Sequence, residues 1–261
     1  MTNTFPLKIL TTVIVNHILF LVGMWYVFSS GDIVWIMYSV IAWTVITLSG
    51  IIVNHRFLSH RSFKMSKFWE YTLSTLAVYI TYGSSLRWVS MHRMHHANAD
   101  KVLDPYSPYI NRESPSTRKF SNWQATKVWF GFWDVPAIPR QYAADIMRDP
   151  YHVFLHRHYF KVLLAPLILM LFINPLLVVF LYSIPAVLHT HVCSTILVVT
   201  HKWGYRNHNT SDESTNSWWS ALLTFGEGWH NNHHANPGNW TTQYRWWEID
   251  PAGWFIKIIK K

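Results

Sequence analysis

The hydrophobic and polar positions of this chain fall into long blocks rather than into the short periods of a soluble domain. Four stretches are almost wholly apolar and carry no charged residue: 9–28, 33–53, 162–182 and about 184–200. A helix needs about 20 such residues to cross the roughly 30 Å hydrocarbon core of a bilayer. Because a helix satisfies its backbone polar groups internally, the pattern predicts an all-α integral membrane protein with four transmembrane helices.

The spacing of the apolar stretches predicts two hairpins and one polar cap. Ser-Ser-Gly-Asp at 29–32 separates the first pair of spans, and the second pair is nearly contiguous. The polar regions 54–161 and 201–261 each follow an even number of crossings, so both are expected on one face as a helical cap. The chain is thus read as a single domain, 1–261.

Charge predicts which face carries the cap. Lys and Arg are absent from the four spans and from both hairpin turns, whereas Arg56, Lys161 and Lys202 lie close to span ends on the cap side. Basic residues near span ends favour the cytoplasmic side. We therefore expect a multi-pass protein with both termini and the cap in the cytoplasm.

Composition agrees with a membrane protein and excludes several other classes. The chain is 50% hydrophobic, 17% aromatic and only 13% charged, which is too apolar for a soluble domain of this length. Its single Cys, Cys193, allows no internal disulfide and cannot hold an iron–sulfur cluster alone. The net charge of +9 is explained by anionic lipid beside the cap, so no nucleic-acid partner is expected.

Histidine is the residue type that points to chemistry. The chain has 16 His against 13 Asp and Glu, and eight of them form three clusters: His55 with His60, then His92, His95 and His96, then His230, His233 and His234. The i, i+3, i+4 spacing of the later two clusters places three imidazoles on one helical face, where a single helix can grip a metal centre. The i, i+5 spacing of the first does not match one face, but it starts where the second span ends, and His201 ends the fourth span.

The number of imidazoles indicates two metal ions rather than one. Eight or nine exceed what one tetrahedral or octahedral ion accepts, and imidazole suits zinc, copper, nickel and iron alike. Glu227 and His230 also form an E-x-x-H unit of the type found in soluble di-iron bundles. No second copy of that unit exists, so we interpret Glu227 as a residue that holds a ligand His through its other ring nitrogen or that starts a helix.

Four segments carry a resemblance to a known family: HRFLSHRSF (55–63), WVSMHRMHHANADKVLDPYSP (88–108), HKWGYR (201–206) and GEGWHNNHH (226–234). In order and spacing they resemble the membrane fatty acid desaturases, specifically the acyl-CoA desaturase-like (stearoyl-CoA desaturase-like) branch. The resemblance implies two ferrous ions held by nine ligands: His55, His60, His92, His95, His96, His201, His230, His233 and His234. Leu197 stands where some members have an Asn that reaches the metal through water.

The same resemblance implies the reaction. A saturated methylene has no acidic proton and no leaving group, so an oxidant must remove its hydrogens, and dioxygen is expected as co-substrate. The product would be a cis double bond in a saturated long-chain acyl group, between carbons 9 and 10 by resemblance alone. Coenzyme A, carrier protein and lipid are the three candidate carriers of the acyl group. No dinucleotide-binding motif is present, so an external donor such as ferredoxin or a cytochrome b5-like protein is implied.

Three residues near the second cluster are candidates for substrate contact. Trp88 precedes His92 by four residues and is the candidate for an acyl channel, and Arg87 and Arg93 are candidates for a phosphate-bearing head group. Alternatives for the function are a hydroxylase, ketolase or decarboxylase on the same metal scaffold, and, from a different class, a metal transporter. Because the clusters lie outside the spans, the transporter is less favoured.

Overall fold

The computed structural model describes residues 5–109, 119–131 and 140–261, and within these ranges it is helical with no named strand. The membrane-type helices come from the apolar stretches. Their bounds are α1 Phe5–Ser30, α2 Val34–Ser49 continued by a π-helical segment Gly50–Ser59, α7 Tyr159–Ile173, α8 Pro175–Val178, a second π-helical segment Val179–Ser183, and α9 Ile184–Val198 with a 3-10 turn Val199–His201.

Shorter helices build the rest of the described chain. They are α3 Lys67–Leu76 with a 3-10 turn Ala77–Ile80, α4 Ser85–Asn98, α5 Asn122–Trp129, 3-10 turns Arg140–Ala143 and Ile146–Arg148, α6 Pro150–Arg157, α10 Trp218–Leu223, α11 His230–Ala235 and α12 Pro251–Ile259.

The first hairpin forms where the sequence predicts it. Helix α1 ends at Ser30, Gly31 adopts the left-handed φ of 73° that a glycine tolerates, and α2 starts two residues after Asp32. The second helix is longer than the predicted span 33–53. Its helical course continues through the π-helical segment to Ser59, which gives an apolar helix of 26 residues from Val34.

The second hairpin differs from the prediction. The break between the two later helices lies at Asn174, not near residue 183 between the predicted spans 162–182 and 184–200. Asn174 uses its side-chain oxygen to accept from the backbone N–H of Leu176, and Pro175 occupies the first helical position, where its missing N–H costs nothing. A strong capping signal within an apolar run therefore decides the boundary.

Among the described residues, three helices are long and apolar enough to cross a membrane: Thr11–Ser30, Val34–Ser59 and Pro175–His201. Helix α7 has only 15 residues, fewer than the roughly 20 that a perpendicular span needs. Together with α6 it forms a pair that is bent by 65° and can count as a fourth span. Large apolar side chains on α1 and α7, such as Phe28 and Phe172, are exposed, as lipid-facing residues are. The four-span topology and its orientation stay predictions.

The cap packs on the extended end of α2. Ile52, Val53 and Leu58 of the π-helical segment form a core with Leu73 of α3, Val89 of α4 and Ile256 of α12. This packing matters for the site, because α2 and α4 both carry clustered histidines and their relative position is set by this core.

Candidate metal centre

The structure brings all nine predicted histidines into two adjacent groups. Within each group the nitrogen atoms that face inward lie within 4.8 Å of one another. Six of the nine side chains are buried and three are half-buried. The first group contains His55, His60, His92, His96 and His233, and the second contains His95, His201, His230 and His234.

The two groups do not follow the three sequence clusters. Helix α4 gives His92 and His96 to the first group and His95 to the second, whereas α11 gives His230 and His234 to the second and His233 to the first. The expectation that a single helix grips one centre is therefore wrong. Residues four apart diverge by about 40° around a helix and residues one apart by about 100°, so an i, i+3, i+4 triplet divides between two centres on either side of its mean direction.

A π-helical segment explains how His55 and His60, five residues apart, face the same group. The wider turn over Gly50–Ser59 brings residues five apart into the same direction, and His60 follows directly as the C-terminal cap residue. His55 and His60 consequently face the same group, with ring centroids 5.1 Å apart. The helix then ends because Arg61 adopts a left-handed φ of 51°. The i, i+5 spacing, which does not fit one face of an α-helix, fits the helix that this segment forms.

The ring nitrogens face each other at distances that suit a shared ion. Nε2–Nε2 separations are 2.8 Å for His60 and His92, 3.0 Å for His55 and His233, and 3.1 Å for His201 and His230. Two donors each about 2.1 Å from one ion lie about 3.0 Å apart at a right angle and about 3.4 Å apart at the tetrahedral angle. The observed separations match two ligands of one ion.

Carboxylates hold the outer nitrogen of four of these rings. Glu227 lies 2.5 Å from His55 Nδ1 and Asp104 lies 2.9 Å from His95 Nδ1. Asp100 and Asp212 occupy the same position on His201 and His234, at 3.2 and 3.1 Å. A carboxylate on Nδ1 orients the imidazole and puts the ring proton on Nδ1, which leaves Nε2 as a lone-pair donor.

Electrostatics keep Glu227 ionised and favour the neutral form of His60 and His234. Burial alone would raise the pKa of Glu227, but His55 and Arg56 outweigh it and lower that pKa to about 2. Burial and neighbouring imidazoles lower the pKa of His60 to about 2, and burial lowers that of His234 to about 4. Neutral imidazole is the form that binds a metal ion.

One pair of rings tests whether the residues fit a metal. His95 and His234 each donate Nδ1–H to an aspartate, so both Nε2 atoms carry lone pairs, yet these atoms face each other at 3.3 Å. Two lone pairs at that distance repel unless a cation lies between them. The donor set therefore fits a pair of metal ions in an all-nitrogen inner shell.

Arg56 fixes the carboxylate that holds His55. This buried side chain donates two hydrogen bonds to Glu227, of 2.9 and 2.7 Å, and two to Asp250, of 2.8 and 2.9 Å. Sequence reasoning interpreted Arg56 only as a basic residue near a span end. The sequence signal for Arg56 was its position directly after His55. On a helix, the residue that follows a metal-facing residue points away from the metal centre, towards the side chains that support the ligands.

The loop before α11 also serves the centre. A Cβ on Gly228 would lie 2.1 Å from the backbone nitrogen of Ala221, so only glycine allows α10 and the start of α11 to approach this closely. Asn231 and Asn232 lie between the histidines of α11, and their side chains form hydrogen bonds on the side of the helix that faces away from the histidine groups. Asn231 accepts from the backbone of Asn207, and Asn232 donates to Glu248.

The three candidate substrate residues lie in three different environments in the structure. Trp88 stacks on His92, with ring centroids 4.8 Å apart, and so forms part of the wall beside the first group. Arg93 uses all its donors on Asp145 and on the carbonyls of Leu58, Ser59 and Tyr142, and the structure does not support its predicted contact with a head group. Arg87 lines a separate cavity.

Other residues near the site have structural roles. Leu197, at the position where a water-mediated ligand was considered, packs in an apolar cluster with Met91 and Val198. A third set of groups, Glu70, Asp149 and His152, could also face an ion, but Lys67 already forms ion pairs with Glu70 at 3.0 Å and with Asp149 at 2.7 Å.

Comparison with known proteins supports the same interpretation. The profile of the fatty acid desaturase family matches residues 33–257. The chain is 34% identical to an sn-2 palmitoyl-lipid 9-desaturase of Nostoc sp. (strain 36) over 79% of its own length and 71% of that protein. It is 30% identical to an sn-1 stearoyl-lipid 9-desaturase of Anabaena variabilis, over 94% and 90% of the two chains. An acyl-CoA C20 Delta5-desaturase of Anemone leveillei is 36% identical over 79% of this chain, which spans 64% of that relative.

Proposed function

Because the chain belongs to the fatty acid desaturase family and is an oxidoreductase of that family, we propose that it inserts a cis double bond into a saturated long-chain acyl group. The proposed position is between carbons 9 and 10, and the proposed carrier of the acyl group is a membrane lipid. Both are supported by the names of relatives, which include lipid 9-desaturases from two cyanobacteria.

The observation that carries the proposal is the division of nine histidines into a group of five and a group of four. We assign these residues as ligands of two iron ions. Iron in this setting supplies the one-electron redox chemistry, with dioxygen as co-substrate, that an unactivated carbon chain requires. Zinc would fit the same nitrogens but offers no redox chemistry.

The chain's own residues orient the reaction. Glu227, Asp104, Asp100 and Asp212 hold four rings in one tautomer, so that their lone pairs converge without reorganisation. Trp88 lies flat on His92 and presents an apolar surface beside the first group, which suits it to align a hydrocarbon chain. Burial of most of the rings excludes bulk water from the centre.

Electrons must reach the site from outside this chain. The sequence carries no dinucleotide-binding motif and has a single Cys, which cannot hold an iron–sulfur cluster alone, so we propose an external donor of the ferredoxin or cytochrome b5 type. We place the cap and both termini on the cytoplasmic side, where the basic residues at the span ends favour an acidic partner.

Lipid profiling of a host that expresses the chain tests the proposal. We compare the wild type with His233→Ala, which removes a member of the five-histidine group, and with His208→Ala as a matched control. The side chain of His208 contacts the ring of Tyr244 and belongs to neither group. Wild type and His208→Ala should accumulate monounsaturated acyl chains, and His233→Ala should accumulate none.

Gas chromatography with double-bond derivatisation identifies the product. Hydroxylated chains or shortened alkenes as the main species would contradict desaturation and favour the hydroxylase or decarboxylase alternative on the same metal site. A double bond at another position would contradict only the proposed regiochemistry. Product formed equally by His233→Ala would remove the two-group centre from the mechanism.

A further inference from the structure

A cationic cavity lies apart from the histidine groups. It has a volume of about 430 Å³ and lies between the start of α4 and the junction of α6 with α7. Its lining includes Arg87, Arg157 and Lys161, together with His156 and Phe160, and none of the described residues that line it is acidic. Three formal positive charges around one cavity favour an anionic ligand, and arginine in particular suits phosphate.

Arg87 is the part of this lining that is built into the fold. It is half-buried on α4, whereas Arg157 and Lys161 are exposed. Burial lowers the pKa of Arg87 to about 10, so its guanidinium remains charged at neutral pH. A charged group held partly out of water gains more from an anion than an exposed one does.

The position of the cavity distinguishes a lipid from a soluble anion. Helix α7 begins at Tyr159, and its apolar residues Phe160, Leu164, Ile168 and Phe172 are exposed by 42, 47, 51 and 85%. Residues four apart lie on the same side of a helix, so these side chains form a stripe that starts at the cavity and runs along α7. A positive cavity at the end of an exposed apolar stripe matches a phosphate head group joined to hydrocarbon chains.

We propose that this cavity binds the phosphate of a membrane phospholipid whose acyl chains lie along the exposed face of α7. The 65° bend between α6 and α7 places the cationic residues at the end of the apolar helix, where the bilayer interface is expected. No member of either histidine group lines the cavity, so the proposal stands independently of the desaturase activity.

Binding of defined lipids to the purified full chain in a neutral detergent tests the proposal. Dioleoylphosphatidylglycerol is titrated and bound lipid is counted by native mass spectrometry. Dioleoylglycerol supplies the same chains without phosphate, and inorganic phosphate supplies the anion without chains. The phospholipid should bind at least about tenfold more tightly than either, because it alone engages both the cavity and the stripe.

A double variant and a matched control locate the site. Arg157→Ala with Lys161→Ala should weaken phospholipid binding by about 30-fold, since each basic residue near a lipid surface contributes about 1 kcal/mol. Arg148→Ala with Lys257→Ala removes the same charge from exposed positions outside the cavity and should change binding by less than about threefold. All four positions are exposed, so unfolding temperatures of the two variants are expected to match.

Three results would overturn the proposal. Equal weakening in the two double variants would show that only net charge matters. Equal binding of dioleoylglycerol would remove the phosphate from recognition. Inorganic phosphate binding as tightly as the phospholipid would assign the cavity to a soluble anion instead. None of these readouts depends on iron content or on turnover.

Discussion

Asp104→Asn should weaken metal binding, because Asp104 holds His95 through Nδ1, the ring nitrogen that faces away from the metal centre. Asp104 is buried, and its Oδ2 accepts from His95 Nδ1 at 2.9 Å and from the backbone N–H of Asp100 at 2.8 Å. Its Oδ1 accepts from the backbone N–H of Tyr106 at 3.1 Å. All three partners are donors, so an ionised carboxylate satisfies them and an amide cannot.

The amide group of the new Asn has two placements, and each is costly. Facing His95, its NH2 opposes Nδ1–H and drives the ring proton to Nε2, where it removes the lone pair that faces the second group. Facing Tyr106, it leaves a buried backbone donor unsatisfied, which costs about 1–3 kcal/mol of stability. Loss of such an outer partner weakens metal binding by about 10–100-fold, or about 1.4–2.7 kcal/mol.

Iron retention under competition with a chelator measures the effect. Glu70→Gln is the matched control, because Glu70 is also a buried carboxylate that binds a histidine, His152, at 3.0 Å, but His152 belongs to neither group of nine. Asp104→Asn should release iron at a chelator concentration about 10–100-fold lower than wild type, and Glu70→Gln should not. Identical retention by Asp104→Asn and wild type would refute the assignment of His95 as a ligand held through Nδ1.

Three further predictions concern the metal and the fold. Purified protein from iron-replete cells should contain about two irons per chain by elemental analysis, and full activity with stoichiometric zinc would contradict redox chemistry. Arg56→Met should lower the free energy of unfolding by about 3–5 kcal/mol because it strands two buried carboxylates, whereas Arg61→Ala, at an exposed ion pair, should cost less than about 1 kcal/mol in thermal unfolding. Burial would raise the pKa of Asp145, but Arg93 and Arg61 hold it well below its usual value. The stabilisation that Asp145 provides is therefore present above about pH 4 and is lost as the pH falls further. In Asp145→Asn the unfolding temperature should fall less steeply than in the wild type as the solution is acidified.

Sequence patterning located the long apolar helices because their cause is local. Uncharged apolar runs predicted the helices at α1 and α2, and the Ser-Ser-Gly-Asp stretch at 29–32 predicted the turn between them. The break at Asn174 also has a local cause, since Asn-Pro is a helix-start signal. The predicted division of residues 162–200 into two spans, however, rested on apolarity alone. The boundary was therefore misplaced although its signal was present.

Eight of the nine histidines were predictable because they form three clusters in a chain poor in polar residues, and the ninth, His201, was implied by the family resemblance. Their partition into groups of five and four was not predictable, because it depends on how α4 and α11 cross and on a π-helical turn in α2. The positions of Arg93 and Arg87 were not predictable either. The donors of Arg93 are used within the fold, and Arg87 lines a different cavity.

By itself, then, the sequence indicated most of the apolar helices and the histidines that the fold gathers, since these follow from composition and from spacing along one helix at a time. Only the tertiary structure decided which rings converge, and which carboxylates orient them. Asp100, Asp104 and Asp212 reach His201, His95 and His234 by folding of loops whose spacing carries no periodic signal. The reason is physical: a metal centre needs donors within about 3 Å of one another, and residues on separate helices reach that distance only through packing of the helices that carry them.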